Sequence, residues 1–177
     1  MYSSITEDMY LCCVINLAIK KADYSDVDLI YSLAEKIWKV HYPDIITMDQ
    51  IDYMLKMMYS KEALKLQMDE GQHFLLAFNN QIPVGYISYS IKESGDYFLH
   101  KFYVDTEKHR NGIGSEFFNQ VFSGFEDLKT IRLTVNRKNY KAINFYFKQG
   151  FIIEEVKDFD IGNNYEMNDF IMLYKRN

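Results

Sequence analysis

The sequence predicts one α/β (α+β) domain, a mixed and mostly antiparallel sheet with one parallel strand pair flanked by helices. Three observations carry this. Up to Gly71 the apolar residues recur at helical spacing. Beyond Gly71 the period drops to two, with turn residues every few positions. The second half then alternates strand and helix, and a helix between two strands implies a right-handed crossover and a parallel pair.

Val14 to Lys20 reads as a first strand. Ser25-x-x-Asp28 resembles a capping arrangement, followed by Val27, Ile30, Leu33, Ala34, Ile37 and Trp38 on one helical stripe that Pro43 ends. Thr47-x-x-Gln50 is a capping box opening a second helix, and Ser60 caps a third that runs to Gly71. Strands are expected at His73–Phe78, Ile82–Ile91 and Tyr97–Val104, with turns at Asn79-Asn80 and Ser94-Gly95-Asp96. A helix from Ser115 to about Phe125 leads to a strand over Thr130–Val135, parallel to Tyr97–Val104. The last helix, Asn139 to Gln149, stops at Gly150, a natural residue for a left-handed C-terminal cap. Strands near Phe151–Asp158 and Asn168–Tyr174 complete the sheet.

Bulk properties narrow the function classes. The chain has 177 residues, 48% of them apolar, enough for one domain with a full core over residues 14–177 behind an extension at 1–13. A net charge of −5 argues against general affinity for nucleic acid or anionic membrane. Within Leu128–Ile153 there is no acidic residue, yet Lys129, Arg132, Arg137, Lys138, Lys141 and Lys148 fall there, a patch suited to a compact polyanion or a plain solvated face. The last segment reverses sign, with Glu154, Glu155, Asp158, Asp160, Glu166 and Asp169. Cys12 and Cys13 are adjacent, which disfavours a disulfide and offers no zinc spacing, so no metal is expected. No signal peptide or bilayer-length apolar run is legible, and a reducing cytoplasmic setting is expected.

The segment Lys108-His109-Arg110-Asn111-Gly112-Ile113-Gly114-Ser115 sits between a strand and a helix. That order puts bare backbone N–H groups at a helix N-terminus, where aligned peptide dipoles favour phosphate. The two glycines allow φ > 0 and close approach of a ligand. An ordinary turn would use the same letters. The dinucleotide fingerprint is excluded because Phe117 stands where its third glycine belongs, and the chain has no Gly-Lys-Ser/Thr triplet of a P-loop.

A second pattern is Asn139-x-x-Ala142-x-x-Phe145-Tyr146-x-x-x-Gly150-Phe151. Asn139, Ala142 and Tyr146 fall at i, i+3 and i+7, one helix face, where a small residue leaves room beside a polar head and a phenol. Together the two motifs resemble the GNAT superfamily of acyl-CoA-dependent N-acyltransferases, over about Ile15 to Lys175. The family's Gln/Arg-x-x-Gly-x-Gly/Ala loop falls on His109 to Gly114, with His109 in place of Gln or Arg and Arg110 directly after it. The helix motif is present without departure. At finer grain the chain is similar to bacterial polyamine- or diamine-type acetyltransferases.

The resemblance implies that acetyl-CoA is the cosubstrate and a small amine, with a polyamine leading, the acceptor. It implies that the pantetheine arm pairs with the backbone of Phe102, Tyr103 and Val104, where the parallel strands splay apart. The pyrophosphate would then rest on the amides of Arg110, Asn111, Gly112, Ile113, Gly114 and Ser115. Asn139 would contact the pantetheine, beside Ala142. Tyr146 matches the family's general acid toward the thiolate. In many relatives a glutamate near the end of the preceding strand is the base; His100 is the nearest titratable group here, ahead of His73 and Asp96. The alternative is a catalytically silent acyl-CoA-binding sensor or partner module; a nucleotide binder of another kind is a third reading. Edge strands and many aromatics make a homodimer reasonable.

Overall fold

The computed structural model describes residues 17–105 and 112–176. Seven strands form one sheet in the order β1-β2-β3-β4-β5-β7-β6, where β1 is Leu17–Lys21, β2 His73–Asn79, β3 Ile82–Glu93, β4 Asp96–Val104, β5 Thr130–Asn136, β6 Ile152–Asp160 and β7 Glu166–Lys175. Every neighbouring pair is antiparallel except β4 and β5. Helices α1 (Val27–His41), α2 (Met48–Tyr59) and α3 (Lys61–Asp69) cover one face. Helices α4 (Ile113–Ser123) and α5 (Tyr140–Lys148) cover the other. The predicted parallel pair and both crossover helices are present. The extension, the start of the first strand, the two cysteines, and His109, Arg110 and Asn111 lie outside the described residues.

Local chemistry departs from the expectation at three places. The cap of the first helical stretch is Asp23, not Ser25: its carboxylate accepts the Ser25 amide at 2.8 Å, while Asp26 accepts the Asp23 amide at 3.1 Å. A 3-10 turn over Tyr24–Asp26 then leads into α1. The Thr47 box is half used. Its hydroxyl takes the Gln50 amide at 3.2 Å, but the Gln50 side chain turns away to donate to the Glu166 carbonyl at 3.0 Å, tying α2 to β7. The β2–β3 hairpin turns on Asn80 and Gln81, with φ of 48° and 68°, one residue later than expected, because strand pairing keeps Asn79 opposite Ile82.

Two features of β4 shape everything downstream. Ser88 of β3 pairs with Lys101 and Tyr89 with Leu99, which leaves His100 as an extra residue, a β-bulge. Side chains therefore change faces there. Tyr97 and Leu99 sit in the α4/α5 core, but beyond the bulge Phe102 and Val104 take that side while Tyr103 joins the α1–α3 core. At the same place the parallel ladder stops: its last pair is Leu99 with Leu133, although β4 runs on to Val104 and β5 to Asn136. The two strands part over those last residues.

Close strand approach at the bulged end rests on Gly85, where an added Cβ would lie 2.4 Å from the Tyr103 carbonyl oxygen. Gly85→Ala should therefore force β3 from β4 and cost about 2 kcal/mol or more, a Tm drop of roughly 4–8 °C for a chain of this size. Gly124→Ala, whose Cβ would meet nothing closer than 3.6 Å at a right-handed φ of −76°, should leave Tm unchanged or slightly higher. Thermal denaturation of the two variants checks this.

Candidate active site

The gap between β4 and β5 opens into a cavity of about 680 Å³ that runs from the N-terminus of α4 past α5 to α2 and β7. At one end, Gly112 is the N-cap of α4 at φ 82° and supplies no side-chain cap. The left-handed φ explains the glycine, and the first-turn amides of α4 have no intrahelical acceptor. Gly114 borders the cavity with only the rings of Phe145 and Phe102 within 4 Å of its missing Cβ. Ile113 turns its side chain into the core, so its amide alone is available to a ligand. Ser115 Oγ accepts from the side chain of Gln149, the C-cap of α5, at 3.5 Å.

The edges of Phe102, Tyr103 and Val104 that face β5 have no ladder partner among the described residues. An extended amide-bearing chain fits there by strand addition, since backbone groups give affinity without particular side chains. With uncapped helix amides at the far end, the cleft has the donors and the shape that a pantetheine arm and its pyrophosphate need.

Asn139, Ala142 and Tyr146 all border the cavity, as the helical spacing implies. Asn139 is buried and already engaged. Its Oδ1 caps α5 by accepting the Ala142 amide at 3.1 Å and lies 3.2 Å from His41 Nε2. Tyr146 is buried near Tyr42 and Tyr103. The Tyr42 and Tyr103 hydroxyls are 3.1 Å apart, and Trp38 stacks on Tyr42 at 4.4 Å. Burial, with Tyr42 adding to it, raises the Tyr146 phenol well above its ordinary proton affinity. It is a protonated hydrogen-bond donor at neutral pH.

His100 occupies the bulge. Its Nε2 lies 2.8 Å from the Ser90 hydroxyl and its ring packs on Phe98. Burial, aided by the charges of Lys101 and Lys92, lowers its pKa to about 4. An imidazole so depressed takes up almost no proton at pH 7. Neither His73 on β2 nor Asp96 at the start of β4 borders the cavity.

Two cavity-lining groups escaped the sequence reading. Asp169, on β7 opposite Asn136 of β5, is 5% exposed, and burial pushes its carboxyl up to about 6 against the pull of the Thr134 hydroxyl and Arg137. The available signal was a lone carboxylate directly before the apolar run Phe170–Leu173. Lys101, just after the bulge, is 8% exposed, and burial draws it down to about 8.

The basic run divides differently from the sequence expectation. Arg132 makes a two-pronged pair with Glu154 at 2.8 and 3.0 Å, Arg137 pairs with Asp158, and Lys129 donates to the Ser94 carbonyl at 3.1 Å. Both arginines reach across β7 to β6, so the acidic tail neutralises part of the patch. Lys141 borders the cavity. No group of residues that could hold a metal ion occurs among the described residues, and no described helix is long and apolar enough to cross a membrane.

Comparison with known proteins agrees with this geometry. The family model for the acetyltransferase (GNAT) domain matches residues 43–162. The chain is similar to spermidine N(1)-acetyltransferase of Thermoplasma acidophilum, 26% identical over 160 residues, 85% of this chain and 99% of that protein. Among solved structures it is similar to the PaiA N-acetyltransferase of Thermoplasma acidophilum in complex with coenzyme A. The TM-score is 0.74 and the identity 26%, over 92% of this chain and 100% of that one. A GCN5-related N-acetyltransferase from Rhodopseudomonas palustris shares the fold at a TM-score of 0.73 and 15% identity, over 90% of this chain and 95% of that one. The chain thus belongs to the acetyltransferase (GNAT) family, whose members transfer the acetyl group of acetyl-CoA.

Proposed function

We propose that this protein transfers an acetyl group from acetyl-CoA to the primary amine of a small aliphatic acceptor. One observation carries the reading: Tyr146 on α5 and Asp169 on β7, a buried proton donor and a buried proton acceptor, border the same cavity where β4 and β5 part. The backbone of Phe102–Val104 holds the pantetheine arm, and the first amides of α4 hold the pyrophosphate, with His109, Arg110 and Asn111 preceding them in the chain. Asn139 and Ala142 shape the wall opposite.

A lysine-like amine has a pKa near 10.4, so only about one molecule in a few thousand is neutral at pH 7. Asp169 takes the proton as the nitrogen bonds to the thioester carbon and the carbon–sulfur bond breaks. Its raised affinity matches a base working near neutrality better than that of His100, to which we give no proton-transfer role. Tyr146 donates a hydrogen bond to the departing sulfur. A phenol with an affinity above about 10 facing a thiol of about 8.5 stabilises the thiolate rather than surrendering its proton.

A polyamine acceptor is supported by the name of the Thermoplasma relative and by exposed Glu166, which lines the same cavity as Asp169. Homodimer formation is supported by β6, an edge strand with Ile152, Ile153 and Val156 exposed. The silent-binder alternative is not favoured, since both donor and acceptor groups are in place and the similar proteins carry acetyltransferase names.

Tyr146→Phe should lower kcat about tenfold or more with little change in acetyl-CoA affinity by calorimetry; unchanged turnover removes Tyr146 from the mechanism. The pH profile of kcat/KM should show a limb near 6 as Asp169 deprotonates, and Asp169→Asn should lose both that limb and most of the rate. Gly112→Val places a β-branched residue at a left-handed φ and should abolish coenzyme A binding; normal affinity would refute the loop's role.

A further inference from the structure

The cavity is lined by a buried cation, Lys101, as well as by the exposed carboxylate of Glu166. Lys101 points into the α1–α3 face because the bulge at His100 has reversed the side-chain alternation. Its Nζ donates to Gln67 Oε1 at 2.6 Å and lies over the rings of Tyr59 and Phe74 at 5.4 and 5.6 Å. Gln67 is itself fixed by donating to the Met58 carbonyl at 2.8 Å. Among the described residues no carboxylate lies within ion-pair distance of Lys101, although the residue is 8% exposed. Buried cations are ordinarily paired. Lys101 keeps two of its three N–H groups beyond Gln67, and it lines the cavity.

The surroundings repeat the pattern. Ser88, opposite Lys101 on β3, donates to Gln72 Oε1 at 2.9 Å, which leaves the Gln72 amide N–H groups unclaimed among the described residues. Gln67, Gln72 and His100 line the same recess, and none carries negative charge. The carboxylates of the cavity, Asp105, Glu166 and Asp169, belong to other elements, and Asp105 pairs with Lys36. Asp169 neighbours Tyr42, whose hydroxyl meets that of Tyr103, two residues from Lys101 on one face of β4. Two strand residues span roughly 7 Å.

We propose that the acceptor is an amine that also bears a carboxylate, its nitrogen presented between Asp169 and Tyr146 and its carboxylate received by Lys101 and the Gln72 amide. A diamine of the same length would bring a second cation against Lys101. The lowered proton affinity of Lys101 agrees with a charge awaiting a partner. This inference rests on the transferase reading and competes with a polyamine acceptor.

The test compares γ-aminobutyrate with putrescine and δ-aminovalerate with cadaverine, pairs of matched chain length, by acetyl-CoA-dependent thiol release. The wild type should favour the aminocarboxylate at least tenfold in kcat/KM. Lys101→Met, shown folded by its acetyl-CoA binding, should cut that ratio tenfold or more. A wild type that prefers the diamines overturns the proposal with or without the variant, and leaves the transferase reading standing. So does a ratio that Lys101→Met does not move. If no amine of a broad panel releases thiol while acetyl-CoA binds, the transferase reading falls and takes this one with it.

Discussion

Termination of the parallel ladder at Leu99 and Leu133, next to the extra residue at His100, is the constraint on which the site depends. A bulge raises the local twist and tilts its strand. Here it carries Phe102–Val104 away from β5 and frees backbone groups that a continuous sheet would have consumed. The same extra residue transfers Lys101 and Tyr103 to the α1–α3 side and keeps Phe102 and Val104 on the α4/α5 side. One unpaired residue thus creates the gap and decides which side chains look into it.

The rest of the fold holds that geometry. Gly85 lets β3 approach the displaced part of β4, and its neighbour Tyr86 packs against Tyr59 and Tyr103. α1 and its C-cap contribute Trp38 and Tyr42 to the same aromatic layer, while α2 is tied to the β6–β7 end through Gln50 on the Glu166 carbonyl and Tyr53 on the Ile161 carbonyl at 2.6 Å. Both walls of the acceptor side therefore hang on the sheet rather than on loops, which suits a site that must hold two reactants in register.

Electrostatics inside the cleft follow from burial more than from net charge. Desolvation raises the proton affinity of Tyr146 and Asp169 and lowers that of His100. The outer surface works otherwise: Arg132 with Glu154 and Arg137 with Asp158 are solvent-facing pairs, which contribute little to stability but offset charge along the β5–β7–β6 edge.

Most of the elements, the parallel pair and the two motifs were legible in the sequence because they are local: helical and strand periods, a glycine before a helix, a small residue between Asn139 and Tyr146. The Thr47 cap was legible, but the cap at Asp23 and the partner of the Gln50 side chain were not, since which of several nearby groups wins depends on what else each side chain can reach. Asp169 read as one of six tail acids and Lys101 as an ordinary strand lysine. Only the tertiary structure buries them, because the bulge that turns Lys101 inward and the insertion of β7 beside β5 arise from pairing between distant strands. Composition and period determined the fold of this chain; long-range register determined which of its charges are buried against the cavity.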